Sequence, residues 1–376
     1  MKLIYIANVR IPTEKAHGIQ IIKMCEAFGN AGIELELVLP WRFNQIKENS
    51  FDFYGVKKIF KIKKIFSLDL ISLNVPKIFF WIQSLSFSIS VFFYLLFKKT
   101  DIIYSRDSFL LYLISFFNKN LVLELHYLPK HLFLHKRVFK KAKAIIVITK
   151  QLKKSLIEKG ISENKILVAP DGVDIDKFDI DISKEEARKK LNLPLDKKIA
   201  LYTGHLYEWK GAQILADAAK FLEKDAIVVF VGGTKNDEKN FRNKNKNLNN
   251  ILILGYRPYS EIPYYLKAAD VLVLPNSGKE EISKSWTSPM KMFEYMASQK
   301  PIVASDLPSI REALNNRSSV LFQADNPNDL AEKIILALDN HEVAQRAFLN
   351  VRQYAWGQRV KNILEFVNEF NIKIYY

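Results

Sequence analysis

Short apolar runs alternate with amphipathic stretches along most of the chain. In the first half, Leu3–Ala7, Ile33–Leu39, Ile102–Tyr104, Leu121–Leu125, Ala144–Ile148 and Ile166–Ala169 have the length and composition of buried strands. Between them, Ile19–Phe28, Ser108–Phe117 and Lys150–Lys159 space their apolar residues as helices do. The second half keeps the same rhythm. Strands are predicted at Ile199–Tyr202, Ile227–Val231, Ile251–Leu254, Val271–Leu274 and Ile302–Ala304, and helices at Lys210–Leu222, Glu261–Ala268, Met290–Ser298 and Leu330–Leu338. Such alternation builds parallel sheets covered by helices on both faces. The expected fold is α/β, with two Rossmann-like doubly wound domains facing across a cleft. The polar stretch Asp171–Lys197, with Gly172 and Pro194, reads as a linker carrying one short helix. The domains are therefore set at residues 1–172 and 173–356. Sheets of this kind bind ligands beyond the carboxyl ends of their strands, which puts the active site in the cleft.

Composition agrees with two folded domains. The 376 residues are 49% hydrophobic and 26% charged, which excludes a disordered or low-complexity chain. A single cysteine, Cys25, rules out an intrachain disulfide or a cysteine zinc cluster; it reads as a small apolar residue in a helix, in a reducing compartment. The start, Met1 to Ala7, reads as a first strand rather than a signal-peptide core.

Charge changes the picture more. The net charge is +16, and residues 1–170 hold 27 basic and 12 acidic side chains against 29 and 28 in the remainder. The first half is expected to meet something anionic. Two basic-aromatic stretches, Lys57–Phe66 and Lys130–Lys143, and the uncharged run Ile78–Phe97 point to a membrane surface. Gln83, Ser84, Ser86, Ser88 and Ser90 interrupt that run, and a spanning helix there would split one sheet. It is read as a buried or surface-dipping helix, and the protein as cytoplasmic and peripheral on the inner face of the cell membrane.

The chain has no Gly-x-x-x-x-Gly-Lys-Ser/Thr loop and no Gly-x-Gly-x-x-Gly, so neither P-loop phosphoryl transfer nor a dinucleotide oxidoreductase is supported. Asp174, Asp176, Asp179 and Asp181 fall in the polar stretch and read as solvated acids. His131 and His135 are spaced as a metal pair but lack a partnering Glu, and read as surface residues. Four segments carry more. Gly204-His205-Leu206-Tyr207-Glu208-Trp209-Lys210-Gly211 leaves a strand and opens a helix, as phosphate sites do. Thr287 to Ala297 enters a helix whose start can hold an anion, with Glu294 one turn in to accept from sugar or ribose hydroxyls. His126 ends a first-half strand, and Gly18 precedes the first helix. Phosphate signals in the neutral half, facing a basic half, assign the donor to the second domain and the acceptor to the first.

At these residues the chain resembles the retaining glycosyltransferases of the GT-B fold, family 4 (glycosyl transferases group 1). The match lies in Val168-Ala169-Pro170-Asp171-Gly172-Val173-Asp174 with Phe178, in Gly255-Tyr256-Arg257 with Ala269 to Pro275, in Thr287 to Ala297 followed by Lys300 to Asp306, and in Tyr354-Ala355-Trp356. The last of these implies that residues 357–376 cross back to the first domain as a helix. The resemblance implies a nucleoside diphosphate sugar as co-substrate, no metal, and transfer of a hexose-type unit with retained configuration. Lys210, with His205 beside it, would stabilise the leaving diphosphate. Glu294 would hold the ribose and His126 the transferred sugar. Gly18, Gly204, Tyr256, Arg257, Ser288, Met290 and Lys291 would line the donor.

Three positions depart from the family pattern: Trp286 stands where the first Glu of Glu-x7-Glu is usual, His205 where an Arg pairs the Lys, and Pro289 where a Gly offers an amide. The expected acceptor is a hydroxyl of a lipid-linked or cell-surface glycan precursor. Two other readings stay open: a catalytically silent binding subunit, motivated by Trp286 and His205, and a DNA-modifying glycosyltransferase using the basic half. No recognition-helix motif supports the latter, and no nucleic-acid partner is expected.

Overall fold

The computed structural model describes residues 1–69, 78–117, 120–129, 132–338 and 340–372. The chain divides into two compact units, Met1–Pro170 with Trp356–Tyr376, and Asp171–Ala355. By sequence the first unit carries 30 Lys and Arg against 14 Asp and Glu, and the second carries 26 of each. The whole excess positive charge therefore belongs to one unit.

The first unit runs β1 (Lys2–Ile6), α1 (Ala16–Asn30), β2 (Glu34–Pro40), α2 (Ser50–Tyr54), β3 (Lys61–Ile65), α3 (Ile78–Leu96), β4 (Ile102–Ser105), α4 (Ser108–Ile114), β5 (Leu121–Leu125), α5 (Leu132–Lys141), β6 (Ala144–Val147), α6 (Lys150–Glu158) and β7 (Ile166–Val168). Its seven parallel strands lie in the order β3-β2-β1-β4-β5-β6-β7. The strand order reverses at β1, and such a switch point opens a crevice at the carboxyl edge.

The second unit runs α7 (Ile175–Phe178), α8 (Lys184–Leu191), β8 (Lys198–Thr203), α9 (Ala212–Ala218), β9 (Ala226–Val231), α10 (Lys235–Lys244), β10 (Ile251–Gly255), α11 (Ile262–Ala268), β11 (Val271–Leu274), α12 (Glu281–Lys284), α13 (Met290–Ala297), β12 (Ile302–Ser305), α14 (Pro308–Arg311), β13 (Val320–Phe322), α15 (Pro327–Ala337) and α16 (His341–Val351). Its six parallel strands lie in the order β10-β9-β8-β11-β12-β13. Both faces of this sheet are covered, as near-continuous apolar strands require. Along β8, Ile199 and Leu201 enter one core while Ala200 and Tyr202 enter the other. The last helix, α17 (Trp356–Ile372), packs on α1 of the first unit.

Four expectations change. The Lys57–Phe66 stretch contains an edge strand, β3, whose Lys61, Lys63 and Lys64 are exposed; charged side chains on an edge discourage stray strand pairing. The Asp171–Lys197 stretch is not a linker. Its helix α8 packs on α11, and Arg188, only 3% exposed, pairs with Asp270 at 2.6 Å and donates to the carbonyl of Ala268 at 2.9 Å. The predicted helix Lys210–Leu222 is interrupted: a 3-10 turn at Glu208–Lys210 precedes α9. The Ile78–Phe97 helix is inside out. Gln83, Ser84 and Ser88 are buried with Phe87, Val91 and Leu95, whereas Phe80, Trp81, Ile82, Leu85, Ile89, Phe93 and Leu96 are exposed. The inward amide and hydroxyl of this face meet polar partners just past β1 and β3: Gln83 donates to Asn8 Oδ1 at 3.0 Å and Ser67 Oγ at 2.8 Å, and Asn8 donates to Ser84 Oγ at 3.0 Å. Cys25 is buried in α1 as expected. His131 lies outside the described residues, and the ring of His135 sits 6.3 Å from Phe139.

Asp270 ties the second unit together by accepting from Arg188, from Lys184 at 2.9 Å and from the Ile199 amide at 2.7 Å. Burial alone would raise its pKa, but the Ile199 amide, Lys184 and Arg188 outweigh it and hold the carboxyl below its usual range. A carboxylate with a depressed folded pKa adds stability above its unfolded pKa and loses it as pH falls through the folded one. Asp270→Asn is expected to cost about 3 kcal/mol at pH 7 in urea titrations, because Arg188 is left buried without its anion. The gap to wild type should shrink as the pH drops below about 4.

Candidate active site

Two glycine-bearing turns lie at the carboxyl edge of the second sheet. Gly204 follows β8 with φ +123°, and Gly232 follows the adjacent β9 with φ +118°. A Cβ on Gly232 would stand 2.5 Å from the carbonyl oxygen of Gly204. Neither turn tolerates a side chain without moving backbone, so the two loops meet as bare main chain.

Beneath this rim lie three ionisable groups. Lys291, in the first turn of α13, is 8% exposed, donates to the carbonyl of Thr203 at 3.0 Å and sits 3.6 Å from the centre of the Tyr202 ring. Burial, with Lys210 nearby, pushes its ammonium well below the usual lysine range. Burial also lowers Lys210 to about 8, against the opposing pull of Glu294. Glu294, one turn along α13, is 5% exposed, and burial raises it to about 7 despite the bond from Tyr259 and the positive charges of Lys177, Lys291 and Lys210. Tyr259 donates to Glu294 Oε1 at 2.9 Å, and Lys177 lies 4.1 Å from the centre of the Tyr259 ring.

The scaffold beneath is fixed by Tyr295, whose hydroxyl accepts from the Thr203 amide at 2.8 Å and lies 3.0 Å from Thr203 Oγ1. Tyr202 donates to the carbonyl of His205 at 2.6 Å, and the His205 and Tyr207 rings stack 4.9 Å apart. At the start of α13 no side chain caps the helix. The first-turn amides of a helix have no carbonyl within the helix to reach, so Met290 and Lys291 present donors at its positive end. Ser288 accepts from the Asp171 amide at 3.1 Å.

The structure thus brings Gly204, His205, Lys210, Ser288, Met290, Lys291 and Glu294 to the carboxyl edge of one sheet. Tyr256 and Arg257 lie at the end of the outermost strand, β10, where Arg257 donates to Tyr265 Oη at 3.0 Å. Trp286 is half-buried, and its amide donates to the Ile282 carbonyl at 3.3 Å. His126 and Gly18 belong to the first unit. Gly18 lies inside the first turn of α1 rather than before the helix; a Cβ there would meet the Tyr54 hydroxyl at 2.3 Å, which accounts for the glycine sterically. His126 Nε2 meets Glu124 Oε1. Sequence reasoning offered the amide of Lys291 but not its ammonium, and it missed Tyr259 and Lys177, which reach Glu294 only through the fold.

Two family models match, "Glycosyltransferase Family 4" over residues 18–177 and "Glycosyl transferases group 1" over residues 183–354. The chain belongs to this family of glycosyltransferases. It is 28% identical over 200 residues, 53% of this chain and 48% of the relative, to a putative teichuronic acid biosynthesis glycosyltransferase of Bacillus subtilis. It is 32% identical over 153 residues, 38% of this chain and 37% of the relative, to an Escherichia coli UDP-Gal:alpha-D-GlcNAc-diphosphoundecaprenol alpha-1,3-galactosyltransferase. The chain therefore spans half or less of the length of these curated relatives. Among solved structures it resembles sucrose-phosphate synthase from Thermosynechococcus elongatus (TM-score 0.79, 16% identity, 99% of this chain and 100% of that one). It also resembles Anabaena HepE in complex with UDP-glucose (TM-score 0.73, 17% identity, 98% and 100%). The fold, two parallel-sheet α/β units of seven and six strands, is GT-B.

An acid whose folded pKa is raised favours the protonated folded state. Stability then falls as pH climbs from the unfolded pKa, about 4.3, towards the folded value. Glu294→Gln removes that penalty while keeping an acceptor for Tyr259. Its melting temperature is expected to exceed wild type more at pH 8.5 than at pH 5.5, by the equivalent of about 2 kcal/mol. Equal shifts at both pH values would show that Glu294 carries no such penalty.

Proposed function

We propose that this protein transfers a sugar from a nucleoside diphosphate sugar to a hydroxyl, with retained configuration and without a metal. The observation that carries the reading is the concentration of Lys210, Lys291 and the open amino end of α13 at the carboxyl edge of the second sheet. These are basic groups gathered at one edge before any anion arrives, Lys291 buried and Lys210 half-buried. Holding Lys210 charged there costs on the order of 3 kcal/mol, which an approaching diphosphate offsets.

In the reaction the bond from the anomeric carbon to the β-phosphate oxygen breaks, and negative charge collects on that oxygen. Lys210, the α13 amides and His205 oppose it as it forms. The acceptor oxygen attacks the same face of the sugar, and its proton passes to the departing phosphate. Glu294, steadied by Tyr259, holds a ribose hydroxyl. His126 positions the transferred sugar. Lys210 and Lys291 supply positive charge in the role a metal ion plays elsewhere.

The acceptor proposed is a lipid-linked or cell-surface glycan precursor, met at the cytoplasmic face of an anionic membrane. Three things support this: the surplus positive charge of the first unit, the outward apolar face of α3, and the curated relatives' printed activities. Among the described residues α3 is the helix long and apolar enough to span a bilayer by length and composition. Its polar side chains are engaged by Asn8 and Ser67, so we assign it to the interface plane. Arg137 lies 3.7 Å from the centre of the Phe116 ring, and Lys136 and Lys140 are exposed on the adjoining α5.

Three outcomes are expected. One nucleotide sugar among UDP, GDP, ADP and CMP donors should raise the melting temperature, the rise growing with its concentration over Kd. Lys210→Ala should cut turnover of that donor by roughly a hundredfold or more; unchanged turnover would refute the leaving-group role. Trp81→Ser with Phe93→Ser should weaken sedimentation with phosphatidylglycerol vesicles by roughly tenfold while leaving nucleotide binding intact.

A further inference from the structure

A buried carboxylate in the first unit gathers partners from four other places in the chain. Glu124, the fourth residue of β5, is fully buried. Its Oε1 accepts from Gln20 Nε2 of α1 at 2.8 Å, lies 3.2 Å from Arg359 NH2 of α17, and meets His126 Nε2 just past the strand. Its Oε2 accepts from the Tyr104 hydroxyl of β4. Arg106 joins through Gln20 Oε1 at 2.9 Å. Arg359 is 3% exposed and also donates to the Pro170 carbonyl at 2.8 Å. Tyr5 and Cys25 are further titratable groups coupled to this cluster.

A carboxylate this deep costs far more than it returns unless cations offset it. Burial by itself would raise the pKa of Glu124, but Arg359, His126 and Arg106 together hold it well below the usual carboxylate range. An ionised carboxylate only accepts hydrogen bonds, so the hydrogen shared with His126 sits on Nε2 and the ring is held in one tautomer and one orientation. Of the four side chains on Glu124, Gln20, Tyr104 and Arg359 are buried; His126 alone reaches outward, with 16% of its side chain exposed.

We propose that Glu124 is the positioning residue for His126, and that Arg359 of the final helix is the counter-charge that keeps this support in place. The consequence for turnover rests on the reading above, in which His126 meets the transferred sugar; the consequence for the ring does not. The last helix is then part of the machinery that orients His126, as well as a packing element on α1.

The alternative is an ion pair that only holds α17 to the sheet. Two variants separate them. Glu124→Gln strands Arg359 and should melt well below wild type. Glu124→Gln with Arg359→Met replaces the pair by neutral groups and should recover most of that loss. Ring spectra of 15N-histidine protein across pH, with His126→Gln used to assign one of the six histidines, report the support directly. A neighbouring carboxylate favours the charged imidazole. His126 should therefore lose its second proton about one pH unit or more lower in both variants than in wild type. In the double variant kcat for donor hydrolysis should fall roughly tenfold with KM held within about twofold. Arg359→Lys, which keeps the charge, should titrate as wild type. A double variant with restored melting, an unchanged His126 titration and unchanged kcat would overturn the proposal. If wild type turns over no donor, the ring titration still decides it, and the failure belongs to the functional reading.

Discussion

Two ammonium groups and a carboxyl group gather at the carboxyl edge of the second sheet, Lys291 and Glu294 buried and Lys210 half-buried, and burial disfavours charge on all three. Lys291 is pushed well below the usual lysine range, Lys210 settles near 8, and Glu294 rises to about 7. The surrounding backbone holds the three groups in place. Tyr295 pins Thr203, Lys291 is tied to the Thr203 carbonyl, and bare glycine turns let the neighbouring loops close over them. A site strained in this direction gains most when an anion enters, which is the electrostatic condition for stabilising a leaving diphosphate.

The two units carry their charge differently. The second is electrically balanced overall and places buried Lys291 and half-buried Lys210 at the site. The first spreads its surplus over the surface, on β3, on α5 and beside the exposed face of α3. Long-range attraction towards an anionic surface needs such spread-out charge, whereas local stabilisation of one phosphate needs buried charge.

Much of the fold was legible because the strands are apolar at nearly every position. The predicted bounds of β5 and β11 coincide with those observed. What escaped is where polar side chains are used structurally. β3 alternates lysine with half-buried isoleucine and looks like a solvated run. α8 is mostly charged, yet its Arg188 is buried against Asp270, a partner 82 residues away that no local pattern reveals. α10 buries only Phe241 and depends on the reciprocal Thr234–Asp237 cap. In the site, Lys210 and Glu294 stood out by resemblance, since each sits at a fixed place in a loop or helix. Tyr259 and Lys177 did not, because their contribution to Glu294 is made through space.

The account rests on Lys210 being partly deprotonated until a diphosphate arrives. Calorimetric titration of the protein at pH 8 with the nucleoside diphosphate it prefers, in two buffers of different ionisation enthalpy, counts the protons taken up on binding. The account predicts net uptake, affinity that weakens as pH rises from 7 to 9, and loss of the uptake in Lys210→Met. Binding without proton uptake, at an affinity that Lys210→Met leaves unchanged, would contradict it.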